Sequence, residues 1–218
     1  MATTVRVWDL PTRIFHWSLA ASVLGALGTA WAPGAWVEVH AKLGYAAGTL
    51  LLFRLLWGVV GGRWSRFTSF LYSPASTVAY LRGRSHPDHL IGHSPVGALS
   101  VFGMLAVLLA QVGTGLVSDD EVAFTGPLNR YVSNGTALGA TWYHHEVGQW
   151  LVVALVALHV VAILYYVLKR RQPLVRAMVT GDKEAPIGTR SSSDRLGTRL
   201  LALVLFAACA LAAWWVAR

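Results

Sequence analysis

The sequence predicts an all-α membrane protein: a four-helix transmembrane bundle with a fifth, peripheral transmembrane helix. Three observations carry this. Of 218 residues, 55% are hydrophobic and only 13% charged, against roughly a quarter charged in soluble domains. Five apolar runs, Ile14 to Trp31, His40 to Val60, Pro95 to Val117, His144 to Leu168 and Leu200 to Val216, approach the roughly 20 helical residues that cross about 30 Å of hydrocarbon. Finally, Lys and Arg gather before the first run (Arg6, Arg13) and in the second and fourth connections, from Arg63 to Arg84 and from Lys169 to Arg199. The opposite loops hold Glu38, Asp119, Asp120 and Glu121 with Arg130. This is the positive-inside asymmetry of a multi-pass protein of the bacterial inner membrane. It places the N-terminus in the cytoplasm and the C-terminus in the periplasm. The net charge of +8 is therefore topology, and nucleic acid is excluded as a partner in favour of membrane lipid.

The first span follows Arg6 and Arg13, a layout shared with secretory signal peptides ending near Ala30-Trp31-Ala32. His16 and Trp17 inside the run favour a retained span. Between the second and third spans, Pro74 to Leu81 reads as a surface helix begun by proline. His86, His89 and His93 read as solvated loop imidazoles, with His86, Asp88 and His89 as candidates for a proton path. Gln111 and Thr114 of the third span either line a polar pocket or bond helix carbonyls. Ser118 to Thr141 forms the largest external loop. After the fourth span, Pro173 to Val179 reads as a second surface helix, and "GTRSSSDRLGTR" (188–199) as a flexible tether. The division is thus 1–183, one transmembrane domain, and 184–218, tether and fifth helix. The single cysteine, Cys209, excludes internal disulfides, iron–sulfur ligation and a C-x-x-C-H haem attachment. No nucleophile elbow, phosphate loop or carboxylate dyad occurs, and no catalytic residue is assigned.

Imidazoles are costly in hydrocarbon, so those inside spans are candidates for function. His145 and His159 are fourteen residues apart, about 1400° around a helix or about 40° short of four turns, and so share a face. His144 lies about 60° off it, which favours His145. The rise puts the two roughly 21 Å apart in depth. With helix one starting inside and helix two outside, His16 matches the depth of His159 and His40 that of His145. Two imidazole pairs at two depths are what two b-type haems require, with iron bound through neutral ring nitrogens. Gly44 and Gly48 follow His40 at i+4 and i+8, and Gly25 and Gly28 lie on helix one; these either give a porphyrin room or serve helix packing. Arg54 shares the His40 face at the level of the inner pair, where it either meets a haem propionate or snorkels to the interface. Arg13 has the same two readings, and Lys42 is its counterpart at the outer pair.

"VRVWDLPTRIFHW" (5–17), "HAKLGYAAGTLLLFRLLWGVVGGRWSRF" (40–67), "HEVGQWLVVALVALHVVAILYY" (145–166) and "PLVRAMVTGDK" (173–183) together resemble the bacterial cytochrome b561 family and its relative, the b-type cytochrome subunit of nickel-iron hydrogenases. The resemblance covers most of the chain up to Lys183. It implies a dihaem core with two haem b, ligands at His16, His40, His145 and His159, and electron exchange with the membrane quinone pool. The fifth helix resembles that of the hydrogenase-type relatives. The expected function is electron transfer between an external redox protein, such as a c-type cytochrome or hydrogenase, and quinone. The alternative is an enzyme oxidising a small external substrate such as superoxide with quinone reduction. That alternative needs a cationic funnel at the outer haem, where Lys42 and Arg130 are outnumbered by Glu38, Asp119, Asp120 and Glu121. A haem-free scaffold or transporter would use the same histidines as proton relays. The sequence does not set the oligomeric state.

Overall fold

The computed structural model describes residues 2–32, 36–84, 86, 89, 91–122 and 124–218. Its order is strand β1 (Ala2–Arg6), helices α1 (Leu10–Ala30), α2 (Trp36–Val60), α3 (Pro74–Leu81), α4 (Pro95–Val117), α5 (Asn134–Trp142), α6 (Gln149–Leu164) and α7 (Leu174–Thr180), strand β2 (Asp182–Pro186) and helix α8 (Leu196–Val216). A π-helical turn, Tyr143–Gly148, joins α5 to α6, and another, Tyr165–Lys169, ends α6. Among the described residues, four helices are long and apolar enough to cross a membrane: α2, α4, the continuous Asn134–Lys169 helix and α8. The protein is an all-α membrane protein apart from one two-stranded ribbon. The first expected span, α1, has 21 residues and thus the length to cross, but Thr12, Arg13, His16 and Ser18 dilute it, and it falls outside that set.

Contacts cluster into two units. The first comprises residues 1–15, 54–103 and 157–204. Here β1 and β2 pair antiparallel, Ala2 opposite Pro186 through Arg6 opposite Asp182. Val5, Val7, Trp8, Trp64, Ile91, Ala177 and Ala185 form a small buried core. Asp9 organises it. Its carboxylate, fully buried, caps α1 by accepting from Thr12 N at 2.8 Å. It also accepts from Ser65 Oγ (2.9 Å), Gly62 N (3.1 Å) and Trp57 Nε1 (3.2 Å). A buried carboxylate is tolerable only with its lone pairs so occupied.

The segment 188–199, expected as a flexible tether, is hydrogen-bonded to the rest of this unit from Arg190 to Asp194, and its last residues, from Leu196, open α8. Ser192 N donates to Arg6 O (2.7 Å) and Ser192 Oγ to Val7 O (2.8 Å). Trp64 donates from its indole to Arg190 O (2.9 Å). Arg6 forks onto Asp182 and Asp194, each at 2.6 Å. Of the two expected surface helices, the first is α3, whose cap Ser73 accepts from Ser76 N, and the second is α7, displaced by one residue at each end. Gly181 ends α7 at φ +90°, in the left-handed region that glycine enters without strain. Its carbonyl accepts from Val7 N (2.8 Å) and Trp8 N (3.0 Å), which ties α7 to the start of α1.

The second unit comprises residues 16–53, 104–156 and 205–218. Its helices approach closely through small residues. A Cβ at Gly25 would meet Leu43 at 3.0 Å and one at Gly48 would meet Val112 at 3.1 Å. Within the expected external loop, Asp119 bridges Thr125, and Ser133 caps α5 by accepting from Thr136 N, so the helix begins well before His144. Gly181→Ala forces a side chain into positive φ with its Cβ 2.5 Å from Trp8 O. This variant is expected to lose about 1–3 kcal/mol of stability, read as a lower melting temperature of the purified protein.

Candidate functional site

In the second unit a cavity of about 240 Å³ opens among the helices, lined by His40 and Gly44 of α2, Ala26 of α1, Gln111 of α4, and His144 and His145 of the π-helical turn. The imidazoles of His40 and His144 face each other across it, ring centres 5.9 Å apart and planes at 81°. His40 Nδ1 lies 2.9 Å from Ala26 O, and His144 Nδ1 lies 2.9 Å from Gln111 O. A carbonyl oxygen can only accept, so Nδ1 carries a proton in each ring, and Nε2 is the nitrogen left to bind a metal. Two imidazoles are thus oriented by carbonyl partners in the way metal-ligating rings are.

The periodicity predicts His145 opposite His40; the structure turns His144 there instead. The cause is the π-helical turn, Tyr143–Gly148, which takes up one residue more than an α-helical turn. Counting back from Val152, which also lines the cavity, an unbroken α-helix brings His145 round after seven residues, or about 700°. With the extra residue the position falls to His144. His145 packs on the ring of His144 at 5.6 Å. Gln111 and Thr114 hold His144 in place. Besides its carbonyl, Gln111 gives Nε2 to His144 O at 3.0 Å, and Thr114 Oγ1, bonded to Ala110 O, lies 3.4 Å from His144 Nδ1.

Of the two glycines that follow His40 on its face, Gly44 lines the cavity and, among the described residues, faces open space where its Cβ would be, whereas Gly48 packs on Val112. Lys42 pairs with Glu38 at 2.7 Å on the exposed helix surface. His16, in the second unit, lies edge-on to Trp17 at 5.0 Å, and His159, in the first, is half-buried. Arg54 does not snorkel: it is 4% exposed, its guanidinium lies 4.6 Å over the Phe67 ring, and Nη1 is buried without a hydrogen-bond partner among the described residues. Arg13 gives Nη1 to Val179 O at 2.5 Å, while its Nε is buried and has no hydrogen-bond partner among the described residues. Each orphaned donor carries a desolvation cost of about 1–3 kcal/mol or more unless an acceptor reaches it.

The loop imidazoles divide. His86 is exposed, but His89 is buried, its Nδ1 accepting from His86 N at 3.1 Å with Tyr72 and Tyr80 at its edges. His93 is held between Trp8 (4.8 Å) and Phe70 (4.4 Å). Tyrosine and aromatic packing, invisible as a motif, is what removes these two from water. Burial, with the charges of Arg54 and Lys183 nearby, pushes the His93 imidazole down to about 3. Desolvation lowers the Lys183 ammonium to about 8 while it donates to Ile91 O at 2.9 Å. Asp88 lies outside the described residues. Among the described residues no three His, Cys, Asp or Glu side chains gather to hold a metal ion.

A family model described as prokaryotic cytochrome b561 matches residues 7–181. The chain belongs to the prokaryotic cytochrome b561 family. Curated relatives include the probable Ni/Fe-hydrogenase 1 B-type cytochrome subunit of Escherichia coli (strain K12), 24% identical over 87% of this chain and 94% of the relative. The probable Ni/Fe-hydrogenase B-type cytochrome subunit of Bradyrhizobium diazoefficiens is 24% identical over 83% and 86%. That of Azotobacter chroococcum mcd 1 is 26% identical over 82% and 88%. No solved structure matches the chain. Membership and the four apolar helices make this a multi-pass membrane b-type cytochrome, with haem b as prosthetic group and membrane electron transfer as activity.

The cavity residues fit such a group. Two metal–nitrogen bonds of about 2 Å and the half-width of each ring set ligand ring centres roughly 6 Å apart, the separation found for His40 and His144. The open face of Gly44 leaves space beside them.

The first unit has a pH response of its own. Acid must charge His93, whose folded value lies below its ordinary one near 6.5. The unfolded chain therefore binds the proton first, and stability falls as pH drops through the window from about 6.5 to about 3. His93→Phe is expected to flatten that fall, with the wild-type melting temperature dropping by at least about 4 °C more than the variant's between pH 7 and pH 4.

Proposed function

We propose that this b561-family cytochrome carries two haem b groups, one held by His40 and His144 and one by His16 and His159. It would pass electrons between a periplasmic redox protein and the membrane quinone pool. The observation that carries this is the facing pair His40 and His144, each fixed by a carbonyl in the tautomer that offers Nε2 to iron. The second pair rests on matching depth in the sequence. Its surroundings are supported by Arg54 and Arg13, whose buried, unpaired nitrogens suit the propionates of an inner haem.

Haem b supplies a one-electron iron couple tuned by its ligands and burial. The chain's own part is positional. His40 and His144 hold fixed orientations through Ala26 O and Gln111 O, so a change of iron charge needs no reorientation of either ring. Arg54 keeps a positive charge in an apolar surround, which favours the reduced state nearby. Apolar walls such as Val23, Leu108 and Val152 keep water from the pair.

Charge asymmetry supports a cytoplasmic N-terminus and a periplasmic C-terminus. It sets the His40–His144 pair towards the periplasm. The relatives bear the name of hydrogenase B-type cytochrome subunits, which favours a hydrogenase over a c-type cytochrome as the donor docked there. Superoxide oxidation is disfavoured by the same face: Lys42 is neutralised by Glu38, and Asp119, Asp120 and Glu121 repel an anion.

Reduced-minus-oxidised spectra with haem quantification test the assignment. His40→Ala and His144→Ala each remove one and the same haem, about half the total content. His16→Ala and His159→Ala remove the other. His145→Ala keeps both; loss of the outer haem from His145→Ala with retention in His144→Ala overturns the ligand choice. In a redox titration Arg54→Leu lowers the midpoint of the inner haem, by on the order of 60 mV if one charge contact worth a factor of ten is lost.

A further inference from the structure

A second hollow, of about 380 Å³, lies in the first unit just beyond the end of α2. We propose that it binds a phosphate group, supplied at this level of the membrane by the headgroup of an anionic phospholipid. Arg63 and Arg66 both line it, three and six residues after Val60, where α2 leaves the apolar layer. Thr68, Ser69, Tyr72 and His89 add hydroxyl and imidazole groups to the same wall. No carboxylate lines it among the described residues. In the sequence between Val60 and Pro95 the only acidic residue is Asp88, which is outside them. Two guanidinium forks with hydroxyls and no acid form a donor set for a phosphate's oxygens. Basic pockets beside cytoplasmic helix ends take acidic lipid headgroups in this way.

The backbone that carries the cations is set in place before any ligand arrives. Their loop is folded as a turn, with Ser65 N and Arg66 N both donating to Gly62 O at 2.9 and 3.2 Å. Asp9 clamps that turn through Gly62 N and Ser65 Oγ. Arg66 O is held by Ser69 Oγ at 2.6 Å, and Arg63 stacks at 5.6 Å on Trp64, itself pinned by Arg190 O. Both guanidinium groups are exposed and neither has an ion-pair partner among the described residues. The cost of ordering a binding loop is thus met within the fold. Arg82 and Arg84, also exposed and basic, lie in the same connection but outside the hollow. They distinguish a site from general attraction to an anionic surface.

The test is native mass spectrometry of the haem-loaded, full-length protein titrated with phosphatidylglycerol or phosphatidylcholine. The expected result is a first phosphatidylglycerol bound in clear preference to phosphatidylcholine. Arg63→Gln/Arg66→Gln weakens it by on the order of tenfold or more, about 1.4 kcal/mol, whereas Arg82→Gln/Arg84→Gln, with the same charge change, leaves it within about twofold. Arg63→Lys/Arg66→Lys keeps the charge and loses the fork, and falls between. Unchanged haem spectra report that each variant is folded, and if the glutamine pair fails this check the lysine pair decides alone. Inorganic phosphate at millimolar concentration leaves the lipid bound if the headgroup is the ligand; its displacement of the lipid overturns the lipid source and assigns the hollow to free phosphate. Equal losses in the two glutamine pairs, or no preference between the lipids, overturns the site.

Discussion

A half-buried imidazole among apolar helices must place its N–H, and both facing rings solve this in one way. His40 and His144 donate from Nδ1 to carbonyls of neighbouring helices, those of Ala26 and Gln111. A helix carbonyl has a second lone pair beyond its own ladder bond, so the donation does not unwind the acceptor helix. The same bond fixes the tautomer and the direction of Nε2. Rotation of either ring would orphan a buried donor, which is why the geometry of the cavity can be held without a rigid loop. The glycines fit this constraint: Gly25 lets α1 and α2 come close where His40 meets Ala26, and Gly44 leaves open space in the cavity wall.

The first unit obeys the complementary rule, that charge leaving water must meet opposite charge or aligned dipoles. Asp9 meets two backbone N–H groups, a hydroxyl and an indole. Through them it joins the start of α1 to the turn after α2. Arg6 meets two carboxylates and closes the ribbon against the segment after β2. Where no such partner exists, as at Arg54 Nη1 and Arg13 Nε, a missing anion is the simplest physical account.

Much of this could be read directly from the chain. Apolar run lengths predict α2, α4, the long helix ending at Lys169 and α8 because spanning a fixed thickness leaves a countable signal. Pro74 and Pro173 mark the surface helices because proline fits only the first turn. The ribbon of β1 and β2 leaves no such trace: its strands have five residues each and lie some 176 residues apart, so neither carries a period long enough to recognise. Asp9 before Leu10-Pro11 is a helix-start signature that could have been found. Three of its four partners could not, since Trp57, Gly62 and Ser65 become neighbours only after folding. His89 and His93 look like solvated loop residues until tyrosines and Trp8 close over them.

The sequence by itself determined that helices cross a membrane, that His40 and a histidine at the head of the fourth apolar run sit on buried faces, and that a b561-type cytochrome is the family to expect. These follow from composition, spacing and motif, which are local. Which of the adjacent pair His144 and His145 meets His40 was decided by tertiary structure alone. A π-helical turn adds one residue to the count, and nothing in "YHHEVG" announces it, because its widened backbone ladder is stabilised by the helix packed against it, through Gln111 and Gly148, and not by the propensities of its own residues.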